Sequence, residues 1–462
     1  MLRKKHSMPK VFCIFKVNGL ANKGTSLKAV IYLLSSLCLL CSTIVNAALL
    51  NLVPESVEAP AWAILDTHSG QIIAEHNSHE QRAPASMTKM MVAYIALKEI
   101  QAGHLKRDEI ITATPVVKMV QWDESQMYLK EGEQISIDQL LAGLVVMSAN
   151  DAAVTLAERI SGTVPAFIER MNIEAKALGM NDTHFANAPG ITMPDHFSSA
   201  YDMALLGQAL TAETPEYLHY SVMPSFSYNQ RFHRATNLVL KFDPSVDGLK
   251  TGFTKAAGYN LALTAHRPTG NPELPERRLV VVVMGTKNAL KRAEIAHTLL
   301  NMAYTYTRNE VAIKDKQLIA ELPVIKSTLK MFKLETSKPQ IITTSLYDQP
   351  YAIDLQTYDT VNQRIMLNTG NGTIQAIDPL QETKTHLNVE IKEKLLTAPI
   401  AKVMELATVQ VYQNNQLIRT IAIENDVQIE EANFFQKIAI WFKQLFTFFS
   451  SDEVEVKTYP LG

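Results

Sequence analysis

The sequence predicts an α+β chain. An antiparallel sheet with a helical lobe is expected over residues 58–308, a small all-β domain over 315–425, and an amphipathic helix over 431–450. Three observations predict this. Apolar runs of strand length stand at both ends of the first region, with helical stretches between them. Short β-rich segments separated by Asn, Gly and Pro turns fill the second. Aromatic residues recur at helical spacing in the third. The 462 residues suffice for two or three domains at roughly 150 each. With 47% hydrophobic and 19% charged residues, the composition is that of a globular protein. The balance of 44 Lys and Arg against 46 Asp and Glu gives no sign of a nucleic-acid partner.

Residues 1–47 stand apart. Arg3, Lys4, Lys5, Lys10, Lys16, Lys23 and Lys28 supply seven positive charges with no acid between them. An apolar run follows over 29–45 and ends in Val45-Asn46-Ala47. Basic flank, apolar core and small residues at the end predict a cleaved secretory signal, with translation starting at Met1 or Met8. Ser35, Ser36, Ser42 and Thr43 interrupt the core, which argues against a membrane-spanning anchor. Without this segment, 37 basic residues face 46 acidic ones, a net charge of −9. Cys13, Cys38 and Cys41 leave with it, so the exported protein has neither disulfides nor thiol chemistry.

In the first region, residues 61–65 and 71–74 read as strands around the turn Asp66-Thr67-His68-Ser69-Gly70. A helix-rich stretch runs over 85–210, strands return at 247–254, 259–265 and 278–284, and a helix over 290–306 closes the region. In the second, 340–344, 363–366 and 409–412 read as strands, with hairpin turns at Asn371-Gly372 and Gln413-Asn414-Asn415-Gln416. In the third, a helix over 433–450 gathers Phe434, Phe435, Ile438, Trp441, Phe442, Leu445, Phe446, Phe448 and Phe449 on one arc about 160° wide. Gln436, Lys437, Lys443, Gln444 and Thr447 lie behind it, with Ile440 the one large apolar exception. An aromatic face backed by charge suits a membrane interface and is too interrupted to span a bilayer.

Three short motifs carry the chemistry. In Ser86-Met87-Thr88-Lys89, serine and lysine stand three apart and share a helix face. A serine hydroxyl attacks only when a base takes its proton. A lysine does this only with its pKa lowered, by burial or nearby positive charge. Ser148-Ala149-Asn150 follows the apolar run 140–147, where Ser148 can relay a proton and Asn150 can donate to a substrate amide. Lys250-Thr251-Gly252 lies in a predicted edge strand, where Lys250 and Thr251 can hold a carboxylate and Gly252 admits close approach of backbone. Each motif is weak alone. Together, in this order, they match the serine set of β-lactamases and penicillin-binding proteins.

The sequence resembles the low-molecular-mass penicillin-binding proteins of the type-five D-alanyl-D-alanine carboxypeptidase family. The resemblance also includes Ser198-Ser199-Ala200-Tyr201-Asp202-Met203, Ala257-Gly258-Tyr259-Asn260 and the terminal amphipathic helix. It implies a serine β-lactamase/penicillin-binding transpeptidase-like domain, an all-β second domain, and no metal or organic cofactor. It implies an exported enzyme on the periplasmic face of the bacterial inner membrane, acting on peptidoglycan stem peptides and bound by β-lactam antibiotics. Ser86 is then the acyl-ester nucleophile, Lys89 the general base, and Lys250 and Thr251 the holders of the terminal carboxylate. The backbone N–H groups of Ser86 and Phe253 form the oxyanion hole. Two histidines of the family are replaced here, one by Phe253 and one by Pro189-Gly190, and Arg234 is the candidate for a basic residue upstream of Lys250. Two rivals share the motifs: a D,D-endopeptidase and a serine β-lactamase. Between Ser148 and Lys250, Glu169-Arg170-Met171-Asn172 has the wrong spacing for a lactamase's deacylating glutamate. A non-catalytic peptidoglycan-binding scaffold is the third alternative.

Overall fold

The computed structural model describes residues 48–347, 352–368, 374–446 and 456–461. The expected export signal, the turn expected at Asn371-Gly372, and Phe448 and Phe449 lie outside the described residues. Strands β1 (Ala61–Asp66) and β2 (Ile72–His76) form the expected hairpin, closed where Asp66 Oδ1 accepts the N–H groups of His68 and Ser69 at 3.0 Å each. The lobe follows: α1 (Lys89–Gln101), the short pair β3 (Ile110–Thr112) and β4 (Gln134–Ser136), then α2 (Ile137–Ala142), α3 (Asn150–Ser161), α4 (Val164–Ala177), α5 (Ala200–Ala212) and α6 (Tyr217–Ser221). A hairpin of β5 (Ser225–Tyr228) and β6 (Arg231–Arg234) leads to β7 (Val246–Thr254), β8 (Gly258–Arg267) and β9 (Arg277–Thr286). The five long strands make one antiparallel sheet in the order β2-β1-β9-β8-β7, joining both ends of the region and leaving β7 at the edge.

Strand β9 shows why an unbroken apolar run folds as the sheet's centre. Val280, Val282 and Met284 enter the core shared with the lobe, while Leu279, Val281 and Val283 enter the core beneath α7 (Ala289–Tyr306). Both faces are covered, so the usual alternation with polar residues disappears. Helix α1 is buried all round from Met90 to Leu97 and forms the axis of the lobe.

The β-rich region begins earlier than the expected 315. Helix α7 runs straight into β10 (Thr307–Ile313), which pairs with β13 (Gln340–Ser345). Between them lie β11 (Leu318–Ile325) and β12 (Met331–Glu335). Two small sheets follow, one of β14 (Tyr358–Asp359), β15 (Arg364–Asn368) and β16 (Ile374–Ile377), the other of β17 (Thr385–Ile391), β19 (Glu405–Gln413) and β20 (Gln416–Glu424), while β18 (Leu396–Thr397) joins β11 in parallel. Asn414 and Asn415 take positive φ between β19 and β20, the turn expected from the sequence.

A buried seam joins this region to the sheet. The Arg277 guanidinium meets Asp66 Oδ2 at 2.7 Å and donates to Thr307 O and Oγ1 at 2.6 and 2.7 Å. The Gln71 amide exchanges two hydrogen bonds with the Thr343 backbone, at 2.8 and 3.1 Å. Helix α8 (Phe434–Phe446) follows, and β21 (Lys457–Thr458) then returns to pair with β11. None of the described helices is long and apolar enough to cross a membrane.

Candidate active site

The three motifs converge at one end of β7. Residues Ala85–Thr88 form a single 3₁₀ turn that runs into α1, so Ser86 and Lys89 share one face, with 3.1 Å between Lys89 Nζ and Ser86 Oγ. Two glycines permit this packing. A side chain at Gly190, which has positive φ, would collide with Ala85 O; one at Gly252 would lie 2.7 Å from Pro84 O and 3.2 Å from Met87 N. The strand bearing Lys250 and the loop bearing Pro189 thus press directly on the serine turn.

Lys89 is 1% exposed, and no carboxylate pairs with it among the described residues. Nζ donates to Pro189 O at 2.6 Å. Burial first, and the Lys250 cation second, hold its pKa well below the usual lysine value, against the opposing pull of Glu124 and Asp151. A neutral amine within reach of a serine hydroxyl can take its proton. Pro189 takes part through its backbone carbonyl, the acceptor of the Lys89 amine. His196 braces that loop. Its Nδ1 accepts from Ala186 N at 3.0 Å, so its Nε2–H donates to Thr88 Oγ1 at 2.8 Å. Burial pushes its pKa down to about 4 and keeps it neutral.

Ser148 ends the turn Gly143–Met147 in the left-handed conformation, with φ 58° and ψ 35°. It faces the same cleft as Ser86, a space of about 730 Å³ that is also lined by Glu124, Tyr128, Arg234, Thr251, Gly252, Phe253, Tyr259 and Arg292. Asn150 is less directly placed. Its Nδ2 donates to Glu124 Oε2 at 2.5 Å, and its backbone N–H to Ser125 O at 2.7 Å, so one amide hydrogen is committed within the protein. Asn150 is buried and is not among the residues lining the cleft, so the expected donation to substrate has only its second amide hydrogen to draw on.

Lys250 is 3% exposed, and its Nζ donates to Thr251 O at 3.2 Å. It lines a narrow cavity of about 20 Å³ behind the cleft, and Thr251 stands at the junction of the two spaces. Burial, then the Arg292 charge, brings its pKa down to about 7. The Phe253 ring is half-exposed and packs on Tyr259 with centroids 4.3 Å apart. Arg234 is exposed at the cleft mouth, on β6.

Arg292 went unnoticed in the sequence. It is 4% exposed, its guanidinium donates only to the carbonyls of Gly252, Asn260 and Thr236 at 3.2–3.5 Å, and its pKa is pushed down only to about 10. The signal was present: Arg292, Ile295, Ala296 and Leu299 follow the i, i+3, i+4, i+7 pattern, which puts a cation in the apolar stripe of α7. Among the described residues no three His, Asp or Glu side chains gather in metal-binding geometry.

A family model described as D-alanyl-D-alanine carboxypeptidase matches residues 48–288. The chain belongs to this family. The D-alanyl-D-alanine carboxypeptidase DacD of Salmonella typhimurium is 38% identical over 253 residues, 54% of this chain and 63% of that relative, so the match spans under two thirds of the relative's length. DacA of Escherichia coli is 28% identical over 424 residues, covering 88% of this chain and 94% of that relative. Among solved structures, penicillin binding protein 5 from Haemophilus influenzae superposes with a TM-score of 0.67 at 26% identity, over 82% of this chain and 100% of the other. Carboxypeptidase relatives and a penicillin-binding fold thus extend from the serine turn into the β-rich region.

Proposed function

We propose that the protein is a serine-type D-alanyl-D-alanine carboxypeptidase that removes the terminal D-alanine from peptidoglycan stem peptides. One observation carries the reading: a buried Lys89 amine, held toward its neutral form, 3.1 Å from Ser86 Oγ. Ser86 attacks the penultimate carbonyl while Lys89 takes its proton. The developing oxyanion is met by the N–H groups of Ser86 and Phe253, each well-placed donor contributing roughly 3 kcal/mol. Ser148 relays a proton to the departing D-alanine, and water then opens the acyl-enzyme. The substrate carboxylate is taken by Thr251, backed by the Lys250 and Arg292 charges, with Arg234 at the rim. β-Lactams acylate the same serine. Penicillin is expected to label the wild type covalently, and Ser86→Ala is expected to lose both label and D-alanine release; release that survives Ser86→Ala refutes this role.

The protein is proposed to be exported and held on the periplasmic face of the inner membrane by α8. Support comes from the exposure of Phe434, Phe435 and Ile438 on the helix's first turns. Trp441, Phe442, Leu445, Phe446 and Phe449 extend the same arc in sequence. Because β21 beyond the helix pairs with β11, truncation would disturb the fold, and Phe434→Glu with Phe435→Glu is the cleaner test. The pair of substitutions is expected to release the protein from membranes; undiminished pelleting contradicts the anchor.

A further inference from the structure

We propose that Glu124 is a specificity-determining carboxylate that recognises a free ammonium group on the acyl side of the peptide, so that uncrosslinked stem peptides are preferred to crosslinked ones. The inference rests on the carboxypeptidase reading and names the substrates within it.

Glu124 lines the cleft that holds Ser86 and belongs to the lobe wall. Its loop is clamped to the start of α3. Asn150 donates to Ser125 O and to Glu124 Oε2, while Asp151 accepts from Met127 N and Leu129 N at 2.9 Å each. The other oxygen, Oε1, accepts only a long bond of 3.3 Å from Gln121 N. The carboxylate is therefore fixed in place and retains accepting capacity toward the cleft. No cation pairs with it among the described residues, and none of the ion pairs includes Arg234, Lys250 or Arg292 on the sheet side. Arg234 and Arg292 thus line the cleft without carboxylate partners on one wall, and Glu124, with the exposed Asp123 beside it, lines it without a cation on the other.

Such a cleft is complementary to a peptide with a negative C-terminus and a positive group upstream. With the terminal carboxylate at the cation wall and the scissile carbonyl at Ser86, the acyl portion runs along the lobe past Ser148 toward Glu124. A diamino residue before the D-alanines carries such a cation while its side-chain amine is free. Crosslinking converts that amine to a neutral amide, and Glu124 then faces the substrate without a partner.

The test compares kcat/KM for D-alanine release from two synthetic peptides, L-Lys-D-Ala-D-Ala with its side-chain amine free or acetylated, using the whole protein. The free amine is expected to be preferred roughly five- to tenfold at low salt, with the preference shrinking as ionic strength rises. Glu124→Gln retains an oxygen for the Asn150 amide and removes the charge, so it should bring the ratio close to one. Equal rates in the wild type, a preference indifferent to salt, or one undiminished in Glu124→Gln each overturn the proposal. The first two need no variant. Penicillin labelling without D-alanine release from either peptide would instead remove the carboxypeptidase reading, and the proposal with it.

Discussion

Two sets of buried cations flank the same five-stranded sheet on opposite terms. At the seam, Arg277 is 4% exposed and meets the fully buried Asp66 carboxylate at 2.7 Å. At the cleft, Lys89, Lys250 and Arg292 are buried as deeply, and among the described residues no carboxylate forms an ion pair with any of them. Taking a charge out of water costs several kcal/mol unless a partner compensates. At the seam the two side chains are paired and serve as structure. At the cleft the lysines are driven toward their neutral forms, and the remaining positive field awaits a substrate anion. The same burial yields a strut in one place and a base with an anion site in the other.

The largest expected effect separates the two sets. Lys89→Met should lower D-alanine release by roughly 10²–10⁴-fold while leaving thermal stability little changed, since a buried amine without a carboxylate partner is replaced by an apolar group of similar size. Arg277→Met should do the reverse. It strands Asp66 and is expected to cost about 3–5 kcal/mol in denaturant unfolding, with activity retained per folded molecule. A Lys89 variant that unfolds, or an Arg277 variant as stable as the wild type, would break the contrast.

The pH profile sharpens it. Lys250 is cationic below its pKa of about 7 and loses that charge as the pH rises through it, so carboxylate binding, and with it kcat/KM, should decline there. Lys250→Arg keeps the charge and should abolish this alkaline decline. The smallest effect is expected at Phe253. Because the proposed oxyanion contact is through backbone, Phe253→Ala should cost much less than the roughly 10²–10³-fold loss of an oxyanion donor.

The chemistry in the sequence was legible where it depended on local spacing. Ser86 and Lys89 meet because three residues make nearly one helical turn, and the sheet followed from the apolar runs that became β1, β8 and β9. Contacts made by tertiary packing were hidden. Nothing near Asn150 in the chain indicates that its amide is held by Glu124, 26 residues earlier. Pro189 read as a lost histidine, whereas its carbonyl oxygen receives Lys89. The onset of β10 at Thr307 was missed because no glycine or proline separates it from α7. Strand β21 is two residues long and becomes a strand only by pairing with β11.

The most direct measurement is the limiting rate of Ser86 acylation at saturating penicillin, followed across pH. With Lys89 held toward its neutral form, the rate should already be at its plateau at neutral pH. A rate still climbing toward pH 10, near the ordinary lysine value of about 10.4, would show that residue 89 carries its proton in the folded protein and is not the base.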